Sequence, residues 1–414
     1  MRTGSLDSDT PPIPPTSEED DLSFLCLIRS RRVGPATFHR LLAQHGSIAA
    51  ALDALPGIAA AAGLTGYAPC PPAQATAELR AGRRAGARLI RCDDPAYPAL
   101  LRGIDDAPPV LWLRGDPAAL ARPALALIGA RNASSLGLRM ARGMARALGE
   151  AGQIVVAGLA RGIDTAAHEA ACPTGTIAVM AGGIDVIYPA ENAALADRIG
   201  ESGALLSEQP PGVAPVARHF PLRNRIISGL SRAVVVVEAA QKSGSLITAR
   251  QALDQGREVM AVPGHPMDAR ASGCNALIRD GAILVRNAED VLAALLESGY
   301  ELPSFAKSEG SSGKKAVARG ARSALNSGVD AEVRAQEESG SQANTSSAPA
   351  KGTAPDAAAG LEQRILTLLG PSPTDENMLI RDLGVTAAAM GAAVLNLELA
   401  GRVARLPGGR VALA

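Results

Sequence analysis

The stretch Phe220-Pro-Leu-Arg-Asn-Arg-Ile-Ile-Ser-Gly-Leu-Ser231 runs through Arg232 into Ala233-Val-Val-Val-Val237, and Lys242-Ser-Gly-Ser245 follows shortly after. A polar and basic block, a short apolar strand and a small basic turn that opens another helix make one helix–strand–helix unit. Arg223 and Arg225 flank the amide of Asn224 where a helix is expected to begin. Guanidinium forks and unpaired backbone N–H groups would there converge on a single anion, and phosphate suits such a spot. The turn Lys242-Ser243-Gly244-Ser245 would stand on the same sheet edge.

Working outward, the same alternation recurs. Apolar runs at 124–128, 154–157, 176–181, 204–206, 233–237, 258–262 and 282–285 are each bounded by Gly, Pro or polar residues, with helical patterns between them. This predicts an α/β fold with a Rossmann-like, mostly parallel sheet whose strands end on one common edge. Suggestive turns lie at those ends. Gly129-Ala130-Arg131-Asn132 leads through Ser134 and Ser135 into a helix, so glycine allows close backbone approach, Arg131 supplies a charged fork and hydroxyls cap the helix. Gly158-Leu-Ala-Arg161-Gly162-Ile-Asp164 again sets an arginine between glycines; Asp164 reads as an N-cap, and His168, on the same helical face, as a structural hydrogen-bond partner. Tyr188, after Gly182-Gly183, either packs over a neighbouring loop or stacks on a base. Ser207-Glu208 is open to a loop cap or a hydrolytic role. Neither Gly-x-Gly-x-x-Gly nor a P-loop is present, which speaks against a dinucleotide or ATP, and no cofactor is expected.

Five segments are expected: an unstructured N-terminus at 1–20, a small helical domain at 21–88, the Rossmann-like domain at 89–300, a flexible Ser/Gly/Ala-rich linker at 301–356 and a terminal domain at 357–414. In the helical domain, Val33-Gly34-Pro35 breaks two amphipathic helices, either a degenerate helix-hairpin-helix or a packing module without DNA contact. Arg80, Arg83, Arg84, Arg88 and Arg91 read as the solvated face of a further helix. The terminal domain has a helix, a tight turn at Gly384, a second helix from Thr386 to Leu399 and a hairpin around Pro407-Gly408-Gly409, the pattern of a winged helix. Its second helix is nearly all Ala, Leu, Met and Val, with Asn396 and Glu398 its strongly polar members. That composition favours protein contact or a structural role over base reading.

Composition limits the function classes. A chain of 414 residues with 47% hydrophobic content is long enough for two or three cores. Formal charge is zero, so nucleic-acid binding must rest on a local patch. Five cysteines without a Cys-x-x-Cys pair or clustered histidines indicate neither zinc nor a disulfide framework, so no metal is expected and the compartment reads as cytosolic. No apolar run is long enough to span a membrane. Of five lysines, Lys307, Lys314, Lys315 and Lys351 fall in the linker, leaving Lys242 alone in folded sequence. A lysine singled out in this way reads as a ligand contact, a compact ammonium reaching a phosphate oxygen.

Arg131, Arg161, Arg223, Arg225 and Lys242 thus form a basic rim on one sheet edge. One nucleotide does not need five cations; a single-stranded nucleic acid would use them all. Only nine aromatic residues are present, so affinity should rest on phosphates. With about four phosphates neutralised, log affinity falls with a slope near −3 in log salt, roughly 50-fold between 50 and 200 mM. Within the opening block, Ile226, Ile227 and Leu230 anchor a helix, Asn224 caps it, and contact with the strand falls to Arg223 or Arg225.

Taken in order, Tyr97-Pro98, Gly129-Ala130-Arg131, Gly158 to Asp164 with His168, Gly183-Ile-Asp185 with Tyr188-Pro189, Ser207-Glu208, Phe220 to Ser231, Ser243-Gly244-Ser245 and Pro263-Gly264 closely resemble the DNA-processing protein A family (DprA, or Smf) over about residues 90–287. The resemblance implies a bacterial, cytosolic, non-enzymatic protein that binds incoming single-stranded DNA in natural transformation, shields it and helps to load the RecA recombinase. It also implies a homodimer formed through the Rossmann-like domain and a DNA pocket lined by the Gly-x-Arg turn and other basic strand-end residues. With the residues read above, the expected DNA-binding set is Gly129, Arg131, Gly158, Arg161, Arg223, Asn224, Arg225, Lys242, Ser243, Gly244 and Ser245. Arg131 matches the arginine of the family's Gly-x-Arg turn, and Lys242 a basic position before Ser-Gly-Ser. Ala130 and Ala157 stand where the family often has serine, each losing a hydroxyl contact of about 1 kcal/mol. Two other classes compete: a nucleotide-processing enzyme of the phosphoribohydrolase type, whose Pro-Gly-Gly-x-Gly-Thr turn is missing here, and a transcription regulator acting through the winged helix.

Overall fold

The computed structural model describes residues 18–300, 354–369, 374–406 and 408–413. Four helices come first: α1 (Glu18–Ile28), α2 (Pro35–His45), α3 (Ile48–Ala61) and α4 (Pro72–Arg84). Helix α1 begins inside the stretch expected to lack structure. Its first turn is Glu18-Glu19-Asp20-Asp21, acidic where the helix dipole favours anions, and Phe24, Leu25, Leu27 and Ile28 are buried. Pro35 starts α2 after an extended Gly34, and the Ser47 hydroxyl caps α3.

The arginine-rich segment is not one helix. It ends at Arg84, Gly86 turns the chain at φ +68°, and β1 (Arg88–Arg91) enters the sheet. Arg91 is accordingly buried, bonded to Asp93 and Asp21 and seated over the Phe24 ring. This contact joins the helical domain to the sheet.

The short α5 (Ala99–Arg102) leads to β2 (Val110–Gly115), and β1 and β2 form an antiparallel edge absent from the sequence reading. Then β3 (Ala124–Ile128), α6 (Ser135–Glu150), β4 (Ile154–Ala157), α7 (Ile163–Ala171), β5 (Thr176–Met180), α8 (Ala193–Ser202) and β6 (Ala204–Ser207) alternate. The second half continues with α9 (His219–Leu230), β7 (Ala233–Val236), α10 (Ser245–Asp254), β8 (Glu258–Ala261), α11 (Ser272–Arg279), β9 (Ile283–Leu284) and α12 (Ala288–Glu297). The order is β1-β2-β6-β5-β4-β3-β7-β8-β9, with β6 through β9 parallel. All seven anticipated strands are present, and the core is a Rossmann-like α/β sheet.

Alternate residues of each strand feed two layers. Leu125, Leu127, Val155 and Val235 pack with α6, α7 and α12, whereas Ala126, Ile128, Val156, Val234 and Val236 belong to the layer of α9 and α10. The chain leaves β3 for β4 on one side and returns as β7 on the other, so the loops after β3 and β7 diverge to opposite faces. A crevice opens at such a switch point.

The terminal unit comprises α13 (Ala354–Leu368), β10 (Thr374–Asp375), α14 (Glu376–Leu383), α15 (Ala387–Leu399) and the hairpin β11 (Val403–Leu406) with β12 (Arg410–Leu413). Asp375 caps α14, Gly384 closes it in the left-handed region, and Thr386 caps α15. This is a winged helix around Ile365, Leu379, Met390, Val394 and Leu397. Among the described residues no single helix is long and apolar enough to cross a membrane. Of the linker expected at 301–356, residues 301–353 with its four lysines lie outside the described residues, and 354–356 belong instead to the first turn of α13.

Candidate nucleic-acid interface

The switch-point crevice is an open cleft of about 620 Å³. Its walls come from the loop after β3 (Ile128 to Asn132), the start of α9 (Phe220, Pro221), the loop after β7 (Lys242 to Ser245) and Arg270 beyond β8. Three contacts fix its floor. The Ala130 N–H donates to Glu238 O at 2.7 Å, the Ser245 hydroxyl to Gly129 O at 2.8 Å, and the Ile163 N–H to Ala130 O at 3.2 Å. Gly162, at φ +77°, presses so closely on this turn that a Cβ would stand 2.3 Å from Ala130 O. The β3 and β4 loops are therefore interlocked, and Arg131 is carried on a turn held from two sides.

Arg131 and Lys242 project from this frame, both exposed, and neither makes an ion pair among the described residues. The Arg131 guanidinium lies 5.1 Å from the centroid of the Phe220 ring, and Phe220 meets Tyr188 edge-on at 5.7 Å. Tyr188 is 52% exposed. A guanidinium and two aromatic rings at the mouth of a cationic cleft offer stacking surfaces beside phosphate contacts.

Comparison with known proteins shows the family. Residues 88–296 match the family model described as DNA recombination-mediator protein A, residues 18–81 the DprA-like N-terminal HHH domain and residues 348–409 the DprA winged helix domain. The chain belongs to the DprA family. It is 46% identical over 202 residues to DNA processing protein DprA of Streptococcus pneumoniae, covering 48% of this chain and 71% of that one. The Bacillus subtilis DprA is 44% identical, covering 54% and 76%. Protein Smf of Synechocystis is 34% identical over 337 residues, covering 78% and 79%. The X-ray structure of the S. pneumoniae protein superposes with a TM-score of 0.51 at 39% identity, covering 57% of this chain and 86% of that one.

Within this DprA-family frame the forecast residues part company. Helix α9 begins at His219, so Arg223 and Arg225 lie inside it, past its first turn, and not at its start. Arg223 is buried; its Nη1 donates to Gly158 O at 2.5 Å and to Val179 O, and its Nε to Asn224 Oδ1 at 3.2 Å. Burial pulls its pKa down to about 10, against the attraction of Asp164. Arg223 lines the floor of the cleft with its guanidinium turned inward, tying the ends of β4 and β5 together. Gly158 makes room for this guanidinium, since a Cβ there would sit 2.4 Å from Arg223 Nη1 and displace it. Asn224 lines the cleft from mid-helix and caps nothing.

Arg225 departs further. Its Nη2 reaches both Glu208 oxygens at 2.7 Å and its Nε stands 3.2 Å from Asp106, with the side chain 3% exposed. Facing away from the cleft, it is a buried ion pair. This explains Glu208 as well, while the Ser207 hydroxyl donates to Gly182 O at 2.6 Å.

Arg161 is exposed but paired with Glu191 through two bonds of 2.7 and 2.8 Å. The Ser243 and Ser245 hydroxyls bond each other at 3.2 Å, and Ser245 also holds Gly129, so both hydroxyls are engaged within the protein; Gly244 is exposed beside them.

Asp164 is not an N-cap; that position is Gly162. Its carboxylate accepts the N–H groups of Gly158 at 2.9 Å and Ala160 at 3.4 Å, and burial raises its pKa despite Arg223. It is the one carboxylate among the described residues lining the cleft. His168 is buried, its Nε2 accepting the Leu159 N–H at 3.4 Å and its Nδ1 2.8 Å from the Thr176 hydroxyl. Burial first, then Arg223, drives its pKa to about 3, so it is neutral and structural. These contacts hold Leu159 at φ +55°. Arg270 is the cleft cation that sequence reasoning missed. It follows Pro263-Gly264, a turn at the same sheet edge, and pairs with Asp268 at 3.2 Å.

All five cysteines are buried and unpaired. No group of His, Cys, Asp or Glu among the described residues is arranged to hold a metal.

Proposed function

We propose that the chain binds single-stranded DNA across the switch-point cleft, shields it from nucleases and presents it for loading of RecA during natural transformation or other recombination. The observation that carries this is the meeting, around one fixed turn, of exposed cations that make no ion pair among the described residues with an aromatic edge: Arg131 on that turn over Phe220, Tyr188 beside Phe220, and Lys242 across the cleft. Single strands offer phosphates and unstacked bases together, which is the combination this surface complements. It acts by binding and not as an enzyme, since Asp164, His168 and Glu208 are all engaged in structural bonds. Membership of the DprA family supports the recombination role. A homodimer formed through the Rossmann-like domain, acting in the cytosol, would give two such clefts per particle.

The burial of Arg223 and Arg225 revises the electrostatics. Arg131 and Lys242 alone would neutralise about two phosphates, a slope near −1.4 and roughly a sevenfold loss between 50 and 200 mM salt. Recruiting Arg161 and Arg270 from their carboxylates would restore about four phosphates and roughly 50-fold. Binding of a fluorescent oligothymidine and of a matched duplex across this salt range tests the proposal. A single-strand preference with a slope between these limits is expected. Equal or stronger duplex binding, or a slope near zero, would overturn it.

A further inference from the structure

Helix α15 carries two apolar stripes. Met390, Ala393, Val394 and Leu397 face the core of the winged helix, whereas Leu395 and Leu399, 2% and 0% exposed, belong to the core that includes the N-terminal helices. A helix apolar on both sides must be buried on both. In this chain α15 packs on α3. Polar contacts surround the apolar pair. Arg40 of α2 donates to Gly391 O at 3.1 Å and pairs with Glu398, while Arg32 donates to Leu399 O beside Gly401. The Arg40 and Glu398 side chains are only 14% and 17% exposed. The remaining polar residue of the helix, Asn396, donates to Glu362 of α13 at 3.0 Å.

From this we infer that the surface formed by α2, α3 and Arg32 is the docking site of the winged helix, with α15 as the docked element. The helix that reads duplex DNA in many winged helices is here committed on the side of Gly391, Leu395, Glu398 and Leu399. The terminal domain is then a docked part of the fold, and it is not an independent DNA reader.

Hydrogen exchange on the full chain tests this. Glu398→Arg sets two guanidiniums face to face and should speed exchange at least tenfold in two places remote in sequence, α15 and residues 35–45 of α2. The double variant Arg40→Glu with Glu398→Arg should restore protection in both. Should Glu398→Arg unfold the winged helix, the double variant still decides. Recovery of both segments supports docking, and failure to recover either overturns it. Unchanged α2 exchange in Glu398→Arg would also overturn it.

Discussion

Arg225 and Arg131 both occupy a family motif, yet their surroundings require opposite outcomes on truncation. Arg225 is 3% exposed and neutralises Glu208 at 2.7 Å and Asp106 at 3.2 Å. Arg225→Ala would leave two carboxylates facing each other in a poorly hydrated site, a loss of about 3–5 kcal/mol. At about 2–4 °C per kcal/mol for a domain near 200 residues, thermal unfolding should fall by about 6–20 °C. Arg131 is exposed and makes no ion pair among the described residues, so Arg131→Ala should shift unfolding by no more than about 2 °C. It should instead remove one charged contact of about 1.5–3 kcal/mol, weakening single-stranded DNA binding about 10- to 150-fold. The salt slope should also fall by about 0.7. Differential scanning fluorimetry and fluorescence anisotropy on both variants, below the lower melting temperature, separate the two. If Arg225→Ala melted like the wild type, or lowered the salt slope as Arg131→Ala does, the sorting of these arginines by burial would be wrong.

Further outcomes follow from the same geometry. Lys242→Ala should leave melting unchanged while lowering the DNA salt slope by about 0.7, because its ammonium is exposed and makes no ion pair among the described residues. Gly162→Ala places a methyl group 2.3 Å from Ala130 O at φ +77°, so it should cost at least about 2 kcal/mol in a urea titration and weaken DNA binding through the displaced Arg131 turn. His168 is held neutral with a pKa of about 3, below its ordinary 6.5, so the unfolded chain takes up the proton first as pH falls. Stability should drop below pH 6.5, by about 2 kcal/mol at pH 5, and urea midpoints for His168→Gln should lack that part of the acid sensitivity.

The family, the α/β core and the cleft's location were legible in the residues. Short apolar runs such as Ala233 to Val237 have one way to be buried at that length, and glycine-bearing turns at their ends mark where backbone must approach backbone. Arg131 and Lys242 could be picked for the same local reason: each sits in a turn after a strand. What could not be read was the fate of cations inside a helix. Whether Arg223 faces solvent or the carbonyls of Gly158 and Val179, and whether Arg225 meets DNA or Glu208, depends on partners 65, 44 and 17 residues away in the chain. The β1–β2 edge was hidden likewise, because Arg91 in a strand is tolerable only once Asp21 and Asp93 neutralise it. The sequence by itself determined the fold and the edge of the sheet that bears the charge, since both follow from local periodicity and turn chemistry. Only tertiary structure decided which charges remain free to meet an anion, since a guanidinium's availability is set by the carboxylates and carbonyls that folding brings against it.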